Sequence, residues 1–281
     1  MKSQLLLVLA ALLFSTGGAA IKSTSFHSWQ VAGFRSGIAA IVLLALLPEA
    51  RRGWNRRVPL VAAAYAATMV LFVLATKLTT AASAIFLQDT APLYLLLIGP
   101  LLLHEPVRRS DLAFLLAMGL GMACFFVGQP RAEATAPDPR LGNQIAALSG
   151  IAWALTVAGL RWLGKHREGP DASMATIVAG NLLAAAICLP AALPVAQVSG
   201  VDLAVVLYLG IFQIGLAYFC LTRAIRHVPA FSASAILLVE PALNPIWAWL
   251  ATGEHPGRWA VAGGALILGS TFAATWWQAR R

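Results

Sequence analysis

Ten runs of about twenty mostly apolar residues follow one another with little between them, and this decides the fold class. They lie at roughly 4–22, 28–47, 57–77, 81–103, 110–128, 141–164, 172–194, 202–223, 231–252 and 258–278. A segment inside lipid has no water to satisfy its backbone, so only helices and closed barrels cross a bilayer. The runs are continuous rather than alternating with a period of two, which selects helices. The longest polar connection, Gln129 to Arg140, holds three prolines and falls near the middle. No soluble domain fits between the runs.

Charge agrees. Only 11% of the 281 residues are charged, against about a quarter in a soluble domain. The formal net charge of +9 does not point to nucleic acid, because the basic residues stand in short clusters between apolar runs. Arg51, Arg52, Arg56 and Arg57 are one such cluster. With the N-terminus inside, fourteen Lys and Arg fall on the inner side. Five (Lys22, Lys77, Arg131, Arg140 and Arg258) fall on the outer side, and Arg35 is intramembrane. That asymmetry predicts a multi-pass protein of a bacterial inner membrane with both termini in the cytoplasm.

The first residues also have the look of a secretory signal peptide, with small residues from Ser15 to Ala20. Apolar or small residues nevertheless continue to Ile21 and make a full span, which favours a retained first helix. Cys124, Cys188 and Cys220 lie inside apolar runs without metal or disulfide spacing and read as packing residues.

The chain repeats itself. Pro92 and Pro241 stand 149 residues apart, as do Glu105 and Glu254, and Ser83 and Ser232. Each half holds five runs, and five is odd, so the second half enters the membrane from the opposite side. The expected fold is an all-α membrane protein of ten transmembrane helices arranged as two five-helix inverted repeats. Residues 1–128 form the first repeat, 129–140 a periplasmic linker and 141–281 the second repeat.

The second repeat contains Glu240-Pro241, then Gly253-Glu254, then Gly263, Gly264 and Gly269. This frame resembles the EamA branch of the drug/metabolite transporter superfamily. The first repeat matches more weakly, through Pro92, Glu105 and the small start Ala81 to Ala84, with Asp89 and Thr90 in place of a Glu-Pro pair. Length and aromatic content are most similar to amino-acid exporters of the YddG type within that branch. The resemblance implies a secondary transporter exporting amino acids or related small metabolites by alternating access. A multidrug or other metabolite exporter of the same fold is the alternative, and an intramembrane lipid-modifying enzyme is the alternative of a different class.

Candidate functional residues follow from depth. Asp89, Glu240 and Arg35 are ionisable groups well inside spans, where charge is costly unless it faces a cavity or a partner. Asp89 precedes Pro92 by three residues, and Glu240 directly precedes Pro241. Each proline lacks an N–H and frees a carbonyl of the preceding turn. A carboxylate beside freed carbonyls suits an ammonium group or a proton; the competing reading is a structural carboxylate bonded to a neighbouring helix. Arg35 is expected to pair with one of these carboxylates or with helix-end carbonyls. Glu240, Asn244 and Trp247 share one helical face, and so do Ser149, Trp153 and Thr156. Gln88, Gln213 and Tyr218 add polar groups at mid-span depth. The expected binding set is therefore Gln88, Asp89, Trp153, Gln213, Tyr218, Glu240, Asn244 and Trp247, between helices broken at Pro92 and Pro241.

Glu105 and Glu254 read as caps of the helices that follow them. Gly119 with Ala123, and Ala265 with Gly269, suggest tight helix packing, including between protomers of a homodimer. Gly159 to Lys165 imitates part of a phosphate loop, but His166 stands where Ser or Thr is needed and no strand precedes it. No metal spacing and no nucleophile–base set is visible. The expected partners are a small-molecule solute and membrane lipid, with no cofactor, no nucleic acid and no catalytic residue.

Overall fold

The computed structural model describes residues 2–102, 109–127, 132–165, 172–225 and 236–280. Among these there is no β-strand, only an isolated bridge between Glu133 and Ala136. The helices are α1 (Lys2–Ser15), α2 (Gly17–Lys22), α3 (Ser28–Leu46), α4 (Val58–Leu78), α5 (Ala81–Gln88), α6 (Ala91–Leu102) and α7 (Arg109–Val127). The second half holds α8 (Pro139–Lys165), α9 (Ser173–Ala192), α10 (Gly200–Tyr208), α11 (Ala217–Ile225), α12 (Val239–Thr252) and α13 (Arg258–Ala279). A π-helical stretch, Leu209–Leu216, joins α10 to α11.

Each expected span holds a described helix. Eight are long and apolar enough to cross a membrane, among them Lys2–Lys22, Ala81–Ile98 and Gly200–Ala224. Leu112–Val127 is a shorter apolar helix, and α12 supplies the described part of the ninth span. Leu60, Leu116, Leu250 and Trp277 are more than half exposed, as suits side chains that face lipid.

Packing repeats when the halves are exchanged. Helix α4 of the first half lies against α8 of the second, and α11 of the second lies against α1 of the first. Likewise α4 meets α9 as the π stretch meets α3, and α5 and α6 meet α8 as α12 meets α1 and α2. The pairs α3–α9, α5–α12 and α7–α13 join equivalent helices of the two halves. The fold is thus two repeated halves.

Close approaches rest on glycine. A Cβ on Gly121 would stand 2.9 Å from Ile267 Cγ1, and one on Gly263 would stand 2.6 Å from the Gly121 carbonyl. These two glycines let α7 and α13 touch. Gly119 and Gly269, expected to do so, meet nothing within 4 Å, and Ala123 and Ala265 are exposed. The contact uses the opposite face of each helix from the one the four-residue spacing suggested.

The π stretch was not foreseen. Gly215 folds against the Gly210 carbonyl, five residues earlier, and a Cβ there would be 2.6 Å from Val42 Cγ1. A Cβ on Gly210 would be 2.5 Å from Ile38 Cγ2. Two glycines thus seat this wide turn against α3, a device common at functional sites.

Candidate functional site

The fourth span breaks where its proline predicts. Helix α5 ends at Gln88, and α6 begins at Ala91. Between them the Thr90 hydroxyl donates to the Leu87 carbonyl at 2.6 Å. Pro92, the second residue of α6, has no N–H to offer the Gln88 carbonyl. The ninth span behaves alike: a turn at Leu238 precedes α12, and Pro241 offers no N–H to the Leu237 carbonyl. Gln88 and Leu237 are 149 residues apart, so both breaks fall at the same place in the repeat. Helix α8 reaches the first break through Gly150, where a Cβ would lie 2.8 Å from the Leu87 carbonyl and 3.2 Å from that of Gln88.

Asp89 and Glu240 stand at these breaks. Both are half-buried, and Asp89 lies near enough for its charge to act on Glu240. Glu240 also acts on Tyr218. Tyr218 is buried and meets two rings edge-on, Phe14 with centroids 5.2 Å apart and Tyr65 at 6.2 Å. Trp153 and Met69 pack against the same cluster. Trp153 and Tyr218 thus share one cluster, Glu240 lies near Tyr218 and Asp89 near Glu240, with Gln88 half-buried beside Asp89 in sequence.

The remaining expected residues pack on the first span. Gln213 is buried on the π stretch, and a Cβ on Gly17 would be 2.8 Å from its Nε2; its Oε1 has no partner. Asn244 is 1% exposed, its side-chain oxygen and nitrogen are both unpartnered, and a Cβ on Gly18 would overlap its Oδ1. Trp247 Nε1 donates to Ser15 Oγ at 2.9 Å. On α8, Ser149 and Thr156 turn to α4 rather than to the shared region. The Ser149 hydroxyl meets the Thr68 carbonyl, and that of Thr156 meets the Thr68 hydroxyl, each at 3.4 Å.

Arg35 pairs with neither a carboxylate nor a helix end. Its Nη2 donates to the Met69 carbonyl, inside α4, at 3.1 Å. Sequence reasoning missed its neighbours. Tyr65 is fully buried, and Asn181 Nδ2 donates to its hydroxyl at 3.2 Å. A single Tyr or Asn in an apolar run leaves no periodic signal.

At one end of the bundle, charged groups join the halves. Lys22 Nζ stands 2.9 Å from Glu254 Oε2, and both side chains are buried. Lys22 also donates to the carbonyls of Thr79, at 2.6 Å, and Thr135. Glu254 Oε1 accepts the Ala81 N–H at 2.5 Å. Glu254 thus caps α5 of the other half, not the following helix as expected, because its side chain turns inward to Lys22. Glu105 lies outside the described residues. Beside this pair Lys77 donates to the Thr24 carbonyl at 2.6 Å. Asp202 accepts from Thr24 Oγ1 at 2.6 Å and from the Ser25 N–H at 2.7 Å. The free thiols Cys188 and Cys220 are buried, and no cluster of metal-ligating side chains occurs among the described residues.

Two broken helices meeting at a buried polar centre, in a repeated helical bundle that crosses the membrane many times, define a membrane carrier. The chain belongs to the EamA-like transporter family, whose sequence pattern matches residues 1–127 and 140–276. It is a transporter, not an enzyme. The chain is 25% identical over 279 residues to the Pseudopaline exporter CntI of Pseudomonas aeruginosa strain UCBPP-PA14, covering 94% of this chain and 92% of the relative. The same exporter of strain PAO1 matches to the same extent. A protein known from a crystal structure shares the fold with a TM-score of 0.64 over 99% of this chain and 98% of its own, at 20% identity.

Proposed function

We propose that this transporter exports amino acids or related small metabolites from the cytoplasm across a bacterial inner membrane, by alternating access. The observation that carries this reading is the placing of one carboxylate, Asp89 and Glu240, at each of two helix breaks that match in position across the repeat. Freed carbonyls and carboxylates accept hydrogen bonds from an ammonium group without leaving a charge unpaired. The rings of Trp153, Tyr218 and Phe14 nearby favour solutes with an apolar or aromatic part. The direction of transport is supported by the similarity to the Pseudopaline exporter CntI. That similarity also favours a second reading, export of another metabolite by the same route.

Residues 1–128 and 141–281 are the two units that rock about the centre, joined by the periplasmic linker 129–140. With both termini in the cytoplasm, Lys22 and Glu254 lie at the periplasmic end. Their contact then closes that side. The chain works surrounded by lipid. Gly119, Ala123, Ala265 and Gly269, which turn away from the bundle, are where a second copy packs if the carrier is a homodimer.

The test is transport by the purified protein in liposomes, loaded with each of the twenty amino acids in turn. Efflux of one or more of them, lost when Asp89 and Glu240 are both replaced by alanine, is expected. Efflux of none by the wild-type protein overturns the amino-acid reading.

A further inference from the structure

The centre of the bundle holds a full positive charge that the reading above does not use. Arg35 lies midway along α3 and is 1% exposed. One of its nitrogens reaches the Met69 carbonyl, and its Nε has no partner. Among the described residues no carboxylate pairs with it. Lys77 and Lys22 are by contrast held by carbonyls or by Glu254 at the far end of their spans.

What surrounds Arg35 links it to the solute region. Its charge acts on Tyr65 and on Tyr218. Tyr218 also feels Glu240, which in turn feels Asp89. Met69, whose carbonyl holds Arg35, packs against the cluster that contains Tyr65 and Tyr218, whose ring centroids are 6.2 Å apart, and Tyr218 therefore lies near both the cation and Glu240. Asn181, bonded to Tyr65, keeps an unpartnered Oδ1 in the same place. A guanidinium presents a planar fork of donors that matches a carboxylate, and a buried cation without an anion is expensive.

We propose that Arg35 is a specificity-determining residue that receives the carboxylate of the solute, opposite the amine-binding side at Asp89 and Glu240. The proposal rests on the reading of this protein as an exporter of amino acids or related metabolites, and adds that the solute must carry an acid group. Tyr218 lies near both Arg35 and Glu240, so its ring turns aside when the solute bridges them.

The competing role is structural: Arg35 fastening α3 to the Met69 carbonyl of α4. The test separates the two. Wild-type protein in liposomes is offered the twenty amino acids, and then the C-terminal amide of the one it moves fastest. Arg35→Gln keeps a donor for Met69 and removes the charge. The variant should lose at least about tenfold in transport of the acid, the scale of one lost charge-assisted hydrogen bond, while the amide is carried as by wild type. Arg35→Lys should fall between. Equal loss for acid and amide, or no loss for either, overturns the assignment, and a matching melting temperature excludes misfolding. A wild-type protein that moves none of the twenty overturns the amino-acid reading and the Arg35 assignment with it. A wild type that moves one, with a variant that does not discriminate, overturns the Arg35 assignment alone.

Discussion

Lys22 of the first half and Glu254 of the second stand 2.9 Å apart, each about 3% exposed, where α2 ends and α5 begins. Three further contacts share the pair: the carbonyls of Thr79 and Thr135 and the N–H of Ala81. Removing one partner strands the other charge away from water. Glu254→Gln or Lys22→Met should each lower the stability of the purified protein by about 3–5 kcal/mol, read as a lower melting temperature. Replacing both at once should cost less than the two single losses together. Single variants that melt like wild type would show that the pair contributes nothing to closure.

Gly18 has no room for a side chain. A Cβ there would overlap Asn244 Oδ1 and stand 3.0 Å from Ala81 Cβ. Gly18→Ala should destabilise the protein by about 1–3 kcal/mol, the usual cost of overpacking. Adding Asn244→Ala should recover part of it. If the double variant melts no higher than Gly18→Ala, the clash with Asn244 is not the cause.

Glu240 directly adjoins the second break and lies near enough to Asp89 to feel its charge. Glu240→Gln keeps the shape and removes the charge. In liposomes the variant should change the transport rate or its dependence on pH. Transport unchanged at every pH tested leaves Glu240 as a structural residue.

Reporter fusions at Trp54 and at Arg281 should report the cytoplasm, and a fusion at Ala134 the periplasm. The structure sharpens the charge argument behind this prediction. Lys22 and Lys77, two of the five basic residues on the outer side, are held in buried contacts. Fewer basic residues are left free there to oppose the inner clusters. A periplasmic C-terminus would overturn the assignment.

The span pattern and the two breaks were legible, because apolar length and a mid-run proline are local signals. Asp89 and Glu240 stood out as candidates because each is an acid near a mid-run proline. The contacts of Lys22, Lys77 and Asp202 were not. A charge at the end of an apolar run looks like a topology signal whether it faces water or a partner. The partner of Trp247, Ser15, is 232 residues away in sequence, so no local pattern reveals that contact. Ser149 and Thr156 shared a face with Trp153 as the helical period required. Which neighbour that face meets depended on α4, which no pattern within α8 reveals.

The breaks match across the repeat, but the carboxylates do not. Asp89 precedes its proline by three residues and Glu240 by one, so one acid sits within its interruption and the other just after it. A scaffold with perfect two-fold equivalence would accept a solute equally well head-first or tail-first. Moving one acid by two residues removes that degeneracy. A carrier that binds its cargo there, as proposed, takes the solute in a single orientation although the helices around it are nearly blind to direction.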